Sequence, residues 1–259
     1  MRRLLLTTAA VAAVLTAQPA SADTTWTLGS TPPAGLSIRG YANTGTGSGI
    51  EVQPLSTNTR WYSGGWGINN LDGCVSCSSG DRGDVPGSAP EHAIDNNQRH
   101  EMLLLTFTSA KILSKVGVGY VGYSDSDLTV MAYTGGALGT VPPSALVGAT
   151  WASLALAGSG WTRVGNYDGN GAIGQRNINA AAIASSYWLI GAYNPLAAPG
   201  GSTTGVTLDS GDDYIKLLNV TSVTPVTPSS SVSEPGTMAL LGLGLLGVGL
   251  ARRRTAPTH

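Results

Sequence analysis

The apolar residues of this chain come in short runs, and glycine, serine, asparagine or aspartate interrupts the sequence between them. The apolar run Met102–Phe107 is short enough for a buried strand. From Val116 to Tyr120, bulky residues alternate with Gly117 and Gly119, which predicts a strand with one face packed closely against another backbone. Residue types typical of strands, bounded by turn residues, predict further strands at Leu128–Tyr133, Tyr187–Tyr193, Tyr214–Val220, Thr25–Leu28, Ile38–Ala42 and Trp161–Val164.

Helical patterns are rare in this sequence. Only Ala145–Leu156 and Asn179–Ala184 are predicted to be helical, and both are short. Strands without long intervening helices predict a mostly-β fold, namely a single antiparallel β-sandwich or jelly-roll-like domain. We place this domain at residues 23–220, because the aromatic residues and apolar runs there argue against disorder.

The N-terminal residues have the pattern of a secretory signal peptide. Arg2 and Arg3 precede the apolar stretch Leu4–Leu15, and Ala20-Ser21-Ala22 follows it as a small-residue cleavage site. This order of basic, apolar and small residues predicts a signal peptide over residues 1–22. Signal peptidase is therefore an expected partner, and Asp23 the expected first residue of the mature chain.

The C-terminal residues form a polar stretch, then an apolar run, then a basic cluster. Residues 221–233 are rich in serine, threonine and proline, which predicts an extended spacer. An apolar run at residues 238–251 then precedes three arginines. A helix over this run would be about 21 Å long, shorter than the hydrocarbon core of about 30 Å. The arginines favour the cytoplasmic side. We therefore expect transient contact with the inner membrane rather than a permanent span.

Residues 234–259 resemble the PEP-CTERM sorting signal of Gram-negative bacteria. In that signal, a Pro-Glu-Pro motif, a membrane stretch and a basic cluster are handled by an exosortase, and here Ser233 replaces the usual first proline. The resemblance implies export through the inner membrane to the cell surface or extracellular matrix. The residues that carry it are Ser233, Glu234, Pro235, Gly236, Arg252, Arg253 and Arg254.

A second resemblance covers the predicted domain. An ordered set of segments is similar to the exosortase-dependent surface protein family, whose members combine a β-rich domain with this type of sorting tail. The resemblance implies surface display and no reaction, since the family has no assigned catalytic residues. The segments are residues 88–97, 102–107, 124–130, 186–194 and 213–218.

The charge of the exported span excludes one class of partner. The whole chain has 14 basic and 15 acidic residues, and the predicted targeting ends hold five of the basic residues and one acidic residue. Residues 23–233 therefore retain nine basic and 14 acidic residues, a net charge of −5. Such a span has no electrostatic footprint for nucleic acid and favours cations.

Two cysteines lie in a segment rich in glycine and serine. We expect Cys74 and Cys77 to form a local disulfide in an oxidising compartment. Free or partner-linked thiols and redox chemistry are the alternatives. Two thiolates alone do not complete a tetrahedral zinc site.

A cluster of polar residues suggests a calcium site. Its candidate ligands are Glu91, Asp95, Asp125 and Asp127, with Asp209, Asp212 and Asp213 as further carboxylates across the sheet. Calcium takes six to eight oxygen ligands, which loops of sandwiches can supply. The alternative is that these side chains bind backbone groups in tight turns. No other cofactor is expected.

The remaining functional classes are an enzyme and a sugar-binding module. The sequence has no nucleophile-elbow, zinc-protease or phosphate-loop motif. A secreted hydrolase with a Ser-His-Asp triad would depend on His92 or His100, and the many acidic residues leave a glycosidase with paired carboxylates as a further alternative. We expect no enzymatic activity. Trp61, Trp66 and Trp161 lie in glycine-rich stretches and could stack on an exopolysaccharide, although tryptophan more often packs in a core. The sequence favours an exported, non-catalytic surface or matrix protein.

Overall fold

The mostly-β prediction is confirmed by the computed structural model. It describes residues 23–43, 49–53, 59–70, 92–97, 99–122, 125–135, 146–203, 205–209, 211, 213–223 and 245. The chain divides into two compact units, Met1–Pro225 and Val226–His259, and Leu245 is the one described residue of the second unit. Within the described ranges, no helix is long and apolar enough to cross a membrane.

Twelve strands and one short helix form the described part of the first unit. In chain order they are β1 (Asp23–Thr27), β2 (Leu36–Asn43), β3 (Ile50–Gln53), β4 (Thr59–Tyr62), β5 (Gly65–Ile68), β6 (Ile94–Asp95), β7 (Glu101–Val121), β8 (Leu128–Tyr133), α1 (Trp151–Leu154), β9 (Trp161–Tyr167), β10 (Gly174–Asn177), β11 (Ser185–Ala192) and β12 (Tyr214–Val223).

The strands form two antiparallel sheets that share β7. The back sheet contains β2, β3, β8, β9, β11 and the first half of β7, in which Met102–Phe107 pairs with β2. The front sheet contains β1, β4, β5, β6, β10, β12 and the second half of β7, in which Ile112–Val121 pairs with β12. Two strands predicted from the sequence are thus the two halves of one strand that passes from sheet to sheet.

The main core lies between the two sheets. Alternate residues of β7 face it from the back sheet (Leu103, Leu105) and from the front sheet (Val116, Val118). Met102 belongs instead to a second apolar cluster on the other face of the back sheet. The back sheet is therefore buried on both faces, which explains the continuous apolar run that the sequence shows here. Trp151, Leu154 and Leu146 are among the residues that cover this second face.

The glycines of β7 permit the close backbone contact that the sequence predicts. A Cβ on Gly119 would collide with the carbonyl oxygen of Gly64, which lies in the turn between β4 and β5. A Cβ on Gly117 would collide with the side chain of Asn219 on β12. The alternation of glycine with bulky residues therefore packs the valines in the core and brings another backbone against the outer face.

Both helix predictions are wrong in extent or in type. Within the described part of Ala145–Leu156, only α1 is helical, and Thr150 begins it with a capping box to Ser153. Residues 179–184 form a turn, not a helix. Asn179 has a left-handed φ of 57° and its side chain binds backbone groups of Ile183 and Leu113. These side-chain bonds replace the bonds of a helix.

The end of the domain also differs slightly from the prediction. β12 continues to Val223 and pairs with β1 along residues 219–223. Residues 221–223, which we assigned to the spacer, therefore belong to the sheet. The register explains this, because Thr221 and Ser222 are buried beside Thr25 and Trp26, and the indole Nε1 of Trp26 donates to Ser222 Oγ at 2.8 Å.

Candidate functional site

Three carboxylates converge from two loops of the sandwich. Asp125 and Asp127 lie just before β8, and Asp209 lies in the loop before β12. One carboxylate oxygen from each lies within 4.8 Å of the other two. Asp127 is 2% exposed, Asp125 is half-buried and Asp209 is exposed, so the cluster opens from the protein interior to solvent.

Asp127 and Asp213 are held by hydrogen bonds behind this cluster. The Gly169 N–H donates to Asp127 Oδ1 at 2.9 Å, and the Asp127 N–H donates to Asp213 Oδ1 at 2.6 Å. The Asn96 side-chain amide donates to Asp213 Oδ2 at 2.6 Å and to the Tyr193 carbonyl at 2.9 Å. The loops that end β9 and β11 and those that precede β8 and β12 are therefore tied together around two buried carboxyl groups.

Burial dominates the electrostatics of the two carboxyl groups. It raises the pKa of Asp213 to about 9, and repulsion from Asp127 and Asp125 adds to the rise. Burial likewise raises the pKa of Asp127 to about 7, while the hydrogen bond from Gly169 opposes the rise. Asp213 accepts two short hydrogen bonds that favour its ionised form, but these offset only part of the cost of removing a charge from water.

The guanidinium of Arg176 interacts electrostatically with Asp127 and binds neighbouring groups. Its Nη2 donates to Ser126 Oγ at 2.7 Å and to the carbonyls of Gly169 and Ala172 at 2.9 and 2.6 Å. Burial lowers the pKa of this guanidinium, and Asp127 and Asp168 counteract the effect. Arg176 therefore fixes the turn after β9 against the loop before β8 while compensating part of the acidic charge.

The structure brings together only some of the predicted calcium ligands. Asp125 and Asp127 lie together, and Asp209, one of the alternative carboxylates, joins them. Asp95 is not part of the cluster, because it is buried on β6 and its Oδ1 accepts the Asn97 N–H at 2.9 Å in a turn. Glu91 and Asp212 lie outside the described residues. The three carboxylates could supply part of an oxygen coordination sphere, so calcium binding stays a prediction.

A second candidate site is a groove beside the β4–β5 hairpin. Trp61 and Trp66 lie opposite each other in this hairpin and line a groove of about 530 Å³ together with Leu36 and Ile38 of β2. Trp66 is 5% exposed, and its indole Nε1 donates to the Gly29 carbonyl at 2.9 Å. Trp61 is half-buried, and its indole N–H has no hydrogen bond to any residue that the structure describes.

Trp161 does not belong to this groove. It packs edge-on against Tyr133, with ring centroids 5.5 Å apart, beside the second apolar cluster of the back sheet. The three tryptophans that we grouped as sugar-stacking candidates therefore do not form one surface. Trp61 has the partial exposure that stacking requires, whereas Trp66 forms the floor of the groove.

The histidines of the hydrolase alternative occupy packed positions. The ring of His92 stacks on Tyr62 with centroids 4.2 Å apart, and its Nδ1 is 3.1 Å from the side-chain amide of Asn69. Burial lowers the pKa of His100, whose carbonyl accepts a hydrogen bond from the Trp151 indole. Cys74 and Cys77 lie outside the described residues, so their disulfide stays a prediction.

The sequence did not reveal the residues that organise these loops. Asn96 binds Asp213 and Arg176 binds Ser126, which ties together the loops around the acidic cluster, but nothing around Arg176 in the sequence marks this role. The run Asp95-Asn96-Asn97 indicated a turn, yet its contact with Asp213 spans more than a hundred residues. Only the topology brings these groups together.

The comparison with protein families confirms the sorting tail. A model described as the PEP-CTERM protein-sorting motif matches residues 231–254. The match includes the motif residues and the arginine cluster, so this chain carries the sorting motif that the sequence resembled. The motif implies export, processing by an exosortase and delivery to the cell envelope or surface of a Gram-negative bacterium.

The comparisons with whole proteins do not extend this result. Neither a curated protein nor a solved structure matches the chain. The resemblance to the exosortase-dependent surface protein family therefore stays a prediction, and the chemistry of the exported domain has to be argued from its own residues.

Proposed function

We propose that this protein is a non-catalytic component of the cell surface or extracellular matrix that an exosortase releases from the inner membrane. The match of residues 231–254 to the sorting motif is the observation that carries the proposal. β12 ends at Val223, eleven residues before Glu234 in the sequence, and the serine, threonine and proline content of the intervening stretch is typical of a spacer. The absence of known catalytic motifs from the sequence supports a structural or interaction role.

In this proposal the motif, the apolar run and the arginine cluster of the tail have different functions. Glu234 and Pro235 are read outside the membrane, while residues 238–251 hold the chain in the bilayer. The arginines 252–254 stop further translocation, since each arginine at the centre of a membrane helix costs about 2.5–3.5 kcal/mol. Contact with the membrane is therefore transient, and the exported domain leaves after processing.

The test is a substitution that separates insertion from processing. Pro235→Ala should leave membrane insertion intact but block processing, so that the full-length chain accumulates in the inner membrane. Fractionation with antibodies to the domain and to a C-terminal epitope measures both steps, and Pro228→Ala in the spacer is the control. Normal display of the Pro235 variant would favour a plain membrane anchor instead.

A carbohydrate-binding module is the second candidate. The groove at Trp61 supports it, because this half-buried indole, whose N–H bonds to no residue in the described ranges, can stack on a sugar ring and donate to a hydroxyl. Among the residues that the structure describes, no carboxylate lines this groove. Its ligand in this case is an exopolysaccharide at the cell surface.

Matched tryptophan substitutions test this second function. Trp61→Leu should abolish retention of the exported domain on exopolysaccharide from the same cell, whereas Trp161→Leu should bind as the native protein does. Thermal unfolding of both variants establishes that each is folded in the binding assay. Equal retention of the two variants would refute binding at this groove.

A further inference from the structure

The turn between β9 and β10 contains two residue pairs whose side chains can cyclise onto the backbone. Its sequence is Asp168-Gly169-Asn170-Gly171, and Asn170-Gly171 is the one Asn-Gly pair in the whole chain. In such pairs the backbone nitrogen of the second residue can attack the side-chain carbonyl carbon of the first. Glycine permits the attack because it has no side chain to hinder the approach and its backbone reaches unusual conformations.

The fold itself selects Asn-Gly at this position. Asn170 and Gly171 both have left-handed φ angles, 46° and 60°, and the Ala172 N–H donates to the Gly169 carbonyl at 3.1 Å. Residues 169–172 thus form a tight turn whose two central residues both have positive φ, and Asn-Gly is the pair that adopts this turn most readily. The turn connects β9 of the back sheet to β10 of the front sheet. The turn therefore favours the same residue pair that is most prone to deamidation.

The structure protects the first pair and leaves the second open. The Gly169 N–H is buried and donates to Asp127 Oδ1 at 2.9 Å, while Asp168 Oδ1 accepts the Asn170 N–H at 2.8 Å. The Asn170 side chain is exposed. Neither its amide group nor the Gly171 N–H forms a hydrogen bond to a residue that the structure describes. Both reacting groups of the second pair are therefore accessible.

We propose that Asn170 is a site of spontaneous deamidation in the exported protein. The Gly171 nitrogen forms a bond to Asn170 Cγ, the Cγ–Nδ2 bond breaks, and ammonia leaves with the proton from the Gly171 nitrogen. Water then opens the five-membered succinimide at either of its two carbonyls. The products are aspartate and isoaspartate at position 170, and water is the only co-reactant.

Arg176 controls how often the turn can react. Ring closure requires Asn170 to leave its left-handed conformation, and Arg176 opposes this by binding the carbonyls of Gly169 and Ala172 on both sides of the pair. The new carboxylate adds negative charge beside Asp168 and the acidic cluster. In the isoaspartate product the backbone is longer by a methylene group, which no longer fits the two-residue turn and loosens β10 from β7.

The test follows the mass of individual peptides from the folded, mature protein. After incubation at mildly alkaline pH, the mass increase that accompanies loss of the amide should be found in the peptide containing Asn170, as two separable isomers. Asn170→Gly is the matched control, because glycine retains the left-handed turn and lacks the amide. This variant should lose the signal completely.

A second variant tests whether the hydrogen bonds from Arg176 to the turn slow the reaction. Arg176→Ala should increase the rate of conversion at Asn170, with circular dichroism showing that the sheet is retained. Conversion of other asparagines at the same rate as Asn170 would overturn the proposal. It would also be overturned if Asn170 stayed intact in the folded protein under conditions that convert a free peptide of residues 166–174.

Discussion

Replacing Asn96 by alanine tests whether buried side-chain bonds hold the loops of the sandwich together. Asn96 is 4% exposed, and its amide makes four hydrogen bonds. The Nδ2 group donates to Asp213 Oδ2 and to the Tyr193 carbonyl, while Oδ1 accepts the N–H groups of Gly211 and Asp213 at 3.0 and 3.1 Å. The substitution removes all four bonds and leaves their partners in a partly closed space.

The expected loss follows from these four bonds. A net contribution of about 1 kcal/mol for each bond gives a destabilisation of about 4 kcal/mol, with water that enters the space offsetting part of the cost. Such a loss is a large share of the 5–15 kcal/mol or so by which domains are stable. The change to aspartate keeps the shape but places a second carboxylate against Asp213, so Asn96→Asp should be destabilised further as the pH rises.

Urea unfolding of protein lacking residues 234–259, followed by tryptophan fluorescence, measures the effect. Asn177→Ala is the control, because Asn177 is an exposed residue of β10. Its free energy of unfolding should change by less than about 0.5 kcal/mol. If Asn96→Ala lost no more stability than Asn177→Ala, the reasoning that buried bonds to Asp213 tie the loops together would be refuted.

Four further predictions concern packing, protonation, metal and thiols. Gly119→Ala should cost about 1–3 kcal/mol in urea unfolding because its Cβ meets the Gly64 carbonyl, whereas Gly201→Ala, which meets nothing within 4 Å, should be neutral. Burial raises the pKa of Asp213 to about 9, so the folded state keeps a proton that the unfolded chain loses from about pH 4. Stability in EDTA should therefore fall as pH rises over this interval, and less steeply in Asp213→Asn. Calcium should raise the melting temperature and Asp209→Asn should abolish the shift, while Glu51→Gln should not; no shift in the native protein would exclude the site. Cys74 and Cys77 should resist alkylation until reduced, and ready labelling of the exported protein would exclude the disulfide.

The sequence predicted the strands that carry most of the core, because their apolar residues leave a pattern. We predicted two separate strands within β7, because residues 108–115 lack that pattern. The strand passes from one sheet to the other within this segment. The sequence missed β3, β4, β5, β6 and β10, which have two to four residues and are defined by their neighbours rather than by alternation. The helix prediction at residues 179–184 failed because Asn179 binds backbone groups through its side chain.

In the candidate sites, too, the sequence predicted what depends on neighbouring residues and missed what depends on contacts between distant segments. Asp125 and Asp127 were predicted together because they are two residues apart in sequence, whereas Asp209 reaches them only through the fold. Glycine-rich surroundings did not distinguish Trp61 from Trp66 and Trp161, since the burial of an indole depends on strands far away in sequence. The sorting motif was recognised from the sequence because its signal lies in a contiguous run of residues, and the family model matches residues 231–254.

Mass spectrometry of the mature protein from its native cell tests the central claim most directly, because it reads both termini at once. Export and exosortase processing predict a chain that begins at Asp23 and has lost the apolar run together with everything after it, residues 238–259. A surface form that retains Arg2 and Arg3 together with Arg252–Arg254 would contradict the account.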